Sequence, residues 1–457
     1  MENIKAGNNP LGTEPISRLI FKYSVPTALT LMVNYLYNIV DQMFVGQGVG
    51  ITGMAATNVA FPLTIIFTAT GLLIGDGSAA NISLCLGRKE QETADKIVSH
   101  AVTMLVLSGV LLCLICILFA PGIVQLFGAT ETAFQDSLIY TRTVAWGLPF
   151  LMLCTALTAV IRADGNPKYT MKCMMTGAVI NIVLDWLFIF PFSMGVFGAA
   201  LATVIGQIVS GSLCFAYLRK LKTVHVHKDA LKLTGVLSGR ILALGLPSLI
   251  TQIMTAVVQI IMNNLMTIYG AGTAYGSDIA LSVYGMMMKV YQIAHAMFVG
   301  VSSATQPING YNFGAKNYDR VRKTYKTAAG IAILISILWF AVYQLLPGQI
   351  AGLFVSGNPL YTECAAHSFR IYMLAFFLYG LHMTTASFFQ GIGKPSRALV
   401  ISLVRQAVLM IPLSLILSGK FGLDGALMAA PITDTLVFIL ALTLAVNEFR
   451  QWKKQGL

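Results

Sequence analysis

The sequence predicts an all-α polytopic membrane protein, with twelve transmembrane helices in two six-helix lobes related by a parallel pseudo-two-fold repeat. Three observations predict it. Of the 457 residues, 56% are hydrophobic and 11% charged, with a mean hydropathy of +0.75, whereas soluble domains carry about 25% charged residues. Apolar runs of about 20 residues or more follow one another along the chain, each long enough for a hydrocarbon core about 30 Å thick. Short sequences also recur in the same order in the two halves.

The elements follow in order. The first helix is expected at 16–45 and carries Pro26 and one acid, Asp41. The second, 54–86, contains GDGSAAN with Asp76, which reads as a gating or packing residue. The third, 93–120, holds Cys113 and Cys116, a CxxC buried in an apolar run and so not a redox or zinc motif. The fourth to sixth are 133–162, 168–192 and 197–219. The seventh and eighth are 240–269, with Pro247, and 277–310, with Lys289 and Met286 to Met288. The last four are 320–346, 362–390, 395–418 and 423–446. The seven cysteines imply no disulfide framework. The first apolar run has no small-residue cleavage site after it and is expected to be retained.

Charge fixes the orientation. The even-numbered connections hold Arg88, Lys89 and Lys96, then Arg162, Lys168 and Lys172, then Arg219, Lys220, Lys222, Lys228, Lys232 and Arg240. Further on they hold Lys316, Arg320, Arg322, Lys323 and Lys326, and finally Lys394 and Arg397. The odd-numbered connections offer Lys420 and almost nothing else. Cationic loops stay on the cytoplasmic side, so both termini are expected there, with Lys5, Arg18, Arg450, Lys453 and Lys454. The net charge of +12 is thus a loop property of a plasma-membrane, multi-pass protein, not a sign of nucleic-acid binding.

The repeat is read from matched pieces. GVFGAALAT (195–203) matches GLDGALMAA (422–430), and RADGNPKYT (162–170) matches QGIGKPSRA (390–398). Pro26 pairs with Pro247, and Arg142 with Arg370. The economical division is an N-lobe at 1–219, a basic cytoplasmic linker at 220–239 and a C-lobe at 240–457. Six helices per lobe is an even number, so the lobes share one orientation and face a central cavity.

With these features in hand, the chain resembles the multidrug and toxic compound extrusion (MATE) family, of the prokaryotic multi-antimicrobial-extrusion type. The resemblance spans the full length and is carried by YNIVDQMFVG (37–46), NIVLDWLFIF (181–190), GVFGAALAT and the G-x-P turns at 165–167 and 393–395. It implies two lobes that alternate between outward- and inward-open states. It also implies export of lipophilic or cationic organic compounds, as in antibiotic resistance, driven by H⁺ or Na⁺ with no cofactor. The cation-coupling residues of one subgroup map onto Asp41 and Asp185, with Asn181 and Thr203 as polar neighbours and a possible Na⁺ among them. Another subgroup has acids in its seventh and tenth helices. Here the seventh has Gln252, Gln259, Asn263 and Asn264 but no acid, and the stretch FRIYMLAFFLYGLHMTTASFF (369–389) of the tenth has none either.

The depth of these groups is consistent. Asp41 lies five residues before Gly46 on an outward-running helix, about 8 Å below its outer end. Asp185 lies six residues before Pro191, and Thr203 about a turn and a half into the returning helix. Asn181 and Asp185 share one helix face. Two neighbouring carboxyls cannot both ionise cheaply, and their titration belongs to the pair. Asn34, Tyr37 and Asn38, beside Asp41, are candidates to line a substrate cavity, as are Gln252, Gln259, Lys289 and Asp434. Lys289 and Asp434 either face that cavity or pair with each other. Arg405 is expected to snorkel to the cytoplasm, and His295 and His382 to be interior residues.

A membrane enzyme is disfavoured, since HExxH, GxSxG in a strand-to-helix setting and a P-loop are all missing from the sequence. A channel is disfavoured too, for want of a filter-like segment. The alternative within the wider superfamily is a lipid-linked or polysaccharide flippase. The expected partners are drug-like small molecules, H⁺ or Na⁺ and the lipid bilayer, and the chain is expected to act as a monomer.

Overall fold

The structure, a computed structural model, describes residues 10–49, 51–127, 134–227, 233–354 and 358–455. Among the described residues, helices and the turns between them are the regular structure. Lys5, Lys228 and Lys232, which figure in the sequence reading, lie outside them. Among the described residues seven helices qualify as membrane spans by length and apolarity, or up to nine when each of two bent pairs counts as one.

The long helices are α1 (Ile16–Gly48), α2 (Ile51–Gly87), α3 (Gln91–Leu118), α4 (Phe134–Ala145), α5 (Leu148–Ala163), α6 (Pro167–Ile189) and α7 (Gly195–Tyr217). They continue with α8 (Gly235–Gly270), α9 (Gly276–Gly314), α10 (Tyr318–Leu345), α11 (Pro359–Tyr372), α12 (Tyr379–Gly391), α13 (Pro395–Leu403) and α14 (Ile411–Lys454). Two compact units divide these helices. One comprises the described residues of Met1–Glu14, Val25–Leu249 and Gly310–Lys316, and the other those of Pro15–Ser24, Ile250–Asn309 and Asn317–Leu457. Three of the five boundaries fall inside α1, α8 and α9, each within a helical turn of a proline: Pro26, Pro247 or Pro307.

Several expected helices are more articulated than the sequence suggested. The run expected at 133–162 is α4 and α5, bent by 48°. Pro149 stands at the start of α5, where its missing N–H costs nothing and its ring starts a new helix. The run expected at 362–390 is α11 and α12, bent by 43° across a tight turn at Phe376–Leu378. The eleventh helix passes through a π turn, Val404–Met410. It joins the twelfth at Gly422, whose φ of 61° and ψ of −134° are not helical. The seventh helix starts earlier than expected, at Gly235.

The matched sequence pieces adopt matched backbones. Gly165 and Gly393 have φ of 93° and 76°, and Gly195 and Gly422 have φ of 58° and 61°. A left-handed conformation is cheap only for glycine, so each turn chemistry occurs once per half. Arg142 and Arg370 each sit in the last turn of the helix that precedes a bend.

Packing within the first unit relies on small residues, as close helix approach in a membrane requires. A Cβ on Gly177 of α6 would lie 2.6 Å from the Gly206 carbonyl oxygen of α7, and one on Gly75 of α2 2.5 Å from Cα of Ala156 in α5. An apolar core through Phe67, Ile82, Met152 and Leu157 fills the rest. The second unit is built around stacked aromatics, including Phe298, Tyr343, Phe369 and Phe376. At its end, buried Glu448 accepts hydrogen bonds from Lys394, Arg397 and Trp452.

The chain after α7 is held by acids of the first unit. Asp164, 3% exposed, accepts from the Tyr217 hydroxyl at 3.0 Å, from the Lys222 N–H at 2.9 Å, and from the Thr223 N–H and hydroxyl at 2.7 Å. Asp95 accepts from the His225 N–H at 2.8 Å, and the Thr234 N–H donates to His100. Hydrogen bonds to a charged acceptor contribute about 1.5–3 kcal/mol. Asp164→Ala should therefore destabilise the protein by about 2–4 kcal/mol, read as a lower unfolding midpoint in detergent. Asp164→Asn, which keeps one acceptor oxygen, should lose less.

Candidate functional site

Three helices of the first unit each present a polar stripe at helical spacing, and the stripes converge. On α1 the stripe is Thr30, Asn34, Tyr37 and Asp41; on α6 it is Asn181 and Asp185; on α7 it is Thr203, Gln207 and Ser210. Spacings of three and four residues keep each set on one face. The Gly177–Gly206 contact brings α6 and α7 close enough for the stripes to meet.

At the outer end the carboxyls of Asp41 and Asp185 neighbour one another, with Gln42 beside the first and Asn181 beside the second. Asp185 is fully buried and Asp41 is 9% exposed. Neither oxygen of Asp185, nor Oδ1 of Asp41, nor Oδ1 of Asn181 has a hydrogen-bond partner. The Asn181 amide reaches the Thr203 hydroxyl at 3.5 Å. Gln42 is turned to Thr57, at 3.1 Å. The site is thus a group of oxygen acceptors short of donors. Two unit charges about 4 Å apart repel by about 4 kcal/mol at an effective dielectric near 20, and each unpaired buried acceptor costs about 1–3 kcal/mol more. One proton shared between the carboxyls would remove the repulsion and pair two of the oxygens, and one cation among the oxygens of Asp41, Asp185, Asn181 and Thr203 would offset both penalties.

A cavity of about 80 Å³ with a mixed polar and apolar lining includes Asn181 and Thr203 of this group, with Asn34, Tyr37, Gln207, Met174 and Met175. Of the proposed substrate residues, Asn34 and Tyr37 line it. Asn38 does not: it is exposed and donates back to the Asn34 carbonyl at 2.8 Å. Tyr140 of α4, which the sequence reading missed, lies beside Thr203, near Tyr37 and both acids. Nothing in SLIYTRTVAW marks it, because its neighbours come from α1, α6 and α7.

The remaining candidates belong to the second unit. Gln252 is half-buried, and Gln259 and Lys289 are exposed. Asp434 does not pair with Lys289. Nε and Nη2 of Arg405 donate to its Oδ1 at 3.2 and 3.1 Å. Nor does Arg405 snorkel: its side chain is 17% exposed and its guanidinium lies 4.9 Å from the Tyr379 ring centroid. A buried carboxylate needs a cation, and an Arg fork one helix away meets that need better than a lone Lys. Tyr379 in turn bonds the Tyr291 hydroxyl, and the rings of His295 and His382 pack on those two tyrosines. Asp76 accepts from the Ser248 hydroxyl at 2.7 Å, between α2 and α8 within the first unit.

A helical protein with successive apolar spans, and with two buried acids close to a cavity between its helices, has the features of a polytopic membrane transporter. The comparisons place it further. The MatE family model matches residues 26–187 and 247–416, and the chain belongs to that family. It is 24% identical over 434 residues to the multidrug export protein MepA of Staphylococcus haemolyticus, covering 94% of each chain. It is equally similar to MepA of a Staphylococcus aureus strain, covering 94% of this chain and 93% of that one. Among solved structures, it is 33% identical to the MATE multidrug transporter DinF-BH in complex with a ligand, with a TM-score of 0.87, covering 95% of this chain and 96% of that one. It also superposes on an outward-facing multidrug resistance MATE family transporter of the MOP superfamily, with a TM-score of 0.89 at 24% identity, covering 99% and 100%.

Two predictions follow from the two acid sites. For the first unit, adding Na⁺ or lowering the pH from 8 to 6 should raise the unfolding midpoint of the wild type by ligand linkage. Asp41→Asn and Asp185→Asn should each lose that rise; an equal rise in both variants excludes the pair as the site. For the second unit, Asp434→Leu alone should cost about 3–5 kcal/mol by stranding Arg405. The double change Asp434→Leu with Arg405→Met should recover most of that loss in the same assay.

Proposed function

We propose that this protein is a secondary active multidrug exporter that exchanges H⁺ or Na⁺ for lipophilic or cationic organic compounds by alternating access. The observation that carries the reading is the Asp41–Asp185 pair, buried together with unpartnered oxygens. An acid with a fixed counter-ion, such as Asp434, has no need of a transported one. A pair without one gains by binding a cation and so responds to a cation gradient. Coupling requires that the cation and the drug favour different states. Pro26, Pro247 and Pro307 supply weak points in the three helices that pass between the units, since a proline removes a helix hydrogen bond. The relatives' multidrug-export names, and the ligand complex of DinF-BH, support small-molecule drugs as substrates.

The loop charges support cytoplasmic termini in a plasma membrane. Helix 1 bending near Pro26 on protonation of the pair is the concrete step we attach to substrate release.

The test is dye transport by everted membrane vesicles, energised in turn by a pH gradient and a Na⁺ gradient. One of the two should drive transport, and Asp41→Asn should abolish it while the variant remains folded in the membrane. Transport that needs neither gradient, or normal transport by Asp41→Asn, overturns antiport at this pair.

A further inference from the structure

The cavity beside the carboxyl pair has a size that decides what it holds. Pockets for drug-sized ligands occupy about 300–1,000 Å³, whereas one buried water needs about 10–15 Å³. At about 80 Å³ the cavity fits several waters and no drug. It also extends away from the acids. Ser210 lies seven residues beyond Thr203 on α7, about 10 Å along the axis, and Thr30 lies eleven residues before Asp41 on α1, about 16 Å. Under the orientation argued from the loops, both displacements run towards the cytoplasm, across a third to a half of a hydrocarbon core about 30 Å thick.

Gln207 stands one turn beyond Thr203 on this path. Its Oε1 is buried and has no hydrogen-bond partner, like Oδ1 of Asn181 above it. The fold leaves it room: a Cβ on Gly147, at the break between α4 and α5, would lie 2.4 Å from Oε1. The cavity's lining is mixed, but Thr30, Asn34, Asn181, Thr203, Gln207 and Ser210 run along it, and buried acceptors beside a water-sized space are the groups that ordered water satisfies. The titratable groups facing the upper end are Tyr37 and Asp41 from α1, Tyr140 from α4 and Asp185 from α6. No Lys or Arg lines the cavity, so nothing there repels a travelling proton.

We propose that this cavity is a hydrated spur that carries the coupling proton between the Asp41–Asp185 pair and the cytoplasmic half of the membrane, with Gln207 positioning its water. The step is a plain acid–base one. A carboxyl O–H bond breaks, a neighbouring water takes the proton, a carboxylate remains, and the hydronium hands the proton on. The inference rests on the antiport reading with H⁺ as the coupling ion.

The experiment is ethidium transport in everted vesicles energised by a pH gradient, in H₂O and in D₂O. Gln207→Leu should slow the maximal rate at least tenfold with KM for ethidium within twofold, and should enlarge the solvent isotope effect. Gln207→Asn should restore most of the rate. Where Gln207→Leu does not insert, Gln207→Met keeps the volume and carries the same expectation. An unchanged rate and isotope effect in the apolar variants overturns the spur while antiport stands. A raised KM at unchanged maximal rate also overturns it, because Gln207 then contacts substrate. A wild type indifferent to the pH gradient removes the antiport reading and the spur with it.

Discussion

A charge inside a bilayer is tolerated where something neutralises it, and this constraint separates the two units. Asp434 meets it with a permanent partner: Arg405 bonds one of its oxygens and lies against Tyr379. Asp41 and Asp185 have each other, which makes matters worse, and a ring of further acceptors. One unit carries its counter-ion within the chain. Under the proposed antiport the other takes one from solution, and a gradient acts on that exchange. Both sites pass the same test of charge in a low dielectric, by opposite means.

Much of the architecture was legible in the sequence because turn chemistry is local. Gly165 and Gly393 read as turns by their place before Asn-Pro and Lys-Pro, and both take positive φ. Gly195 and Gly422 open matched motifs and do the same. The companionship of Asp41, Asn181, Asp185 and Thr203 was accessible too, since helix periodicity and loop charge set their common depth. What escaped were properties of neighbours in space. The partner of Asp434 was sought by chemistry on the nearest helices, and Lys289 was named. The π turn at Val404–Met410 and the reach of a guanidinium select Arg405 instead. Tyr140 joins the site from α4, beside residues of three other helices that no residue spacing announces. Gln207 was passed over because a glutamine in an apolar helix reads as packing until its oxygen is seen without a donor.

Small residues and orphaned polar atoms work together in the first unit. Gly177 and Gly206 draw α6 and α7 to near contact, and Gly147 withholds a side chain where Gln207 turns. The same glycines meet the stripes themselves: Gly177 faces Ser210 and Gly206 faces Asn181. Gly177 and Gly206 also line the cavity, beside the polar residues.

The linker pinned by Asp164 and Asp95 has a further consequence. Residues 221–227 are stapled to the unit that precedes them by backbone hydrogen bonds. Composition alone marks this stretch as an ordinary basic loop, yet its backbone N–H groups are spent on acids of the unit that contains it. A connector by charge is thus, by hydrogen bonding, part of the body it was expected to leave.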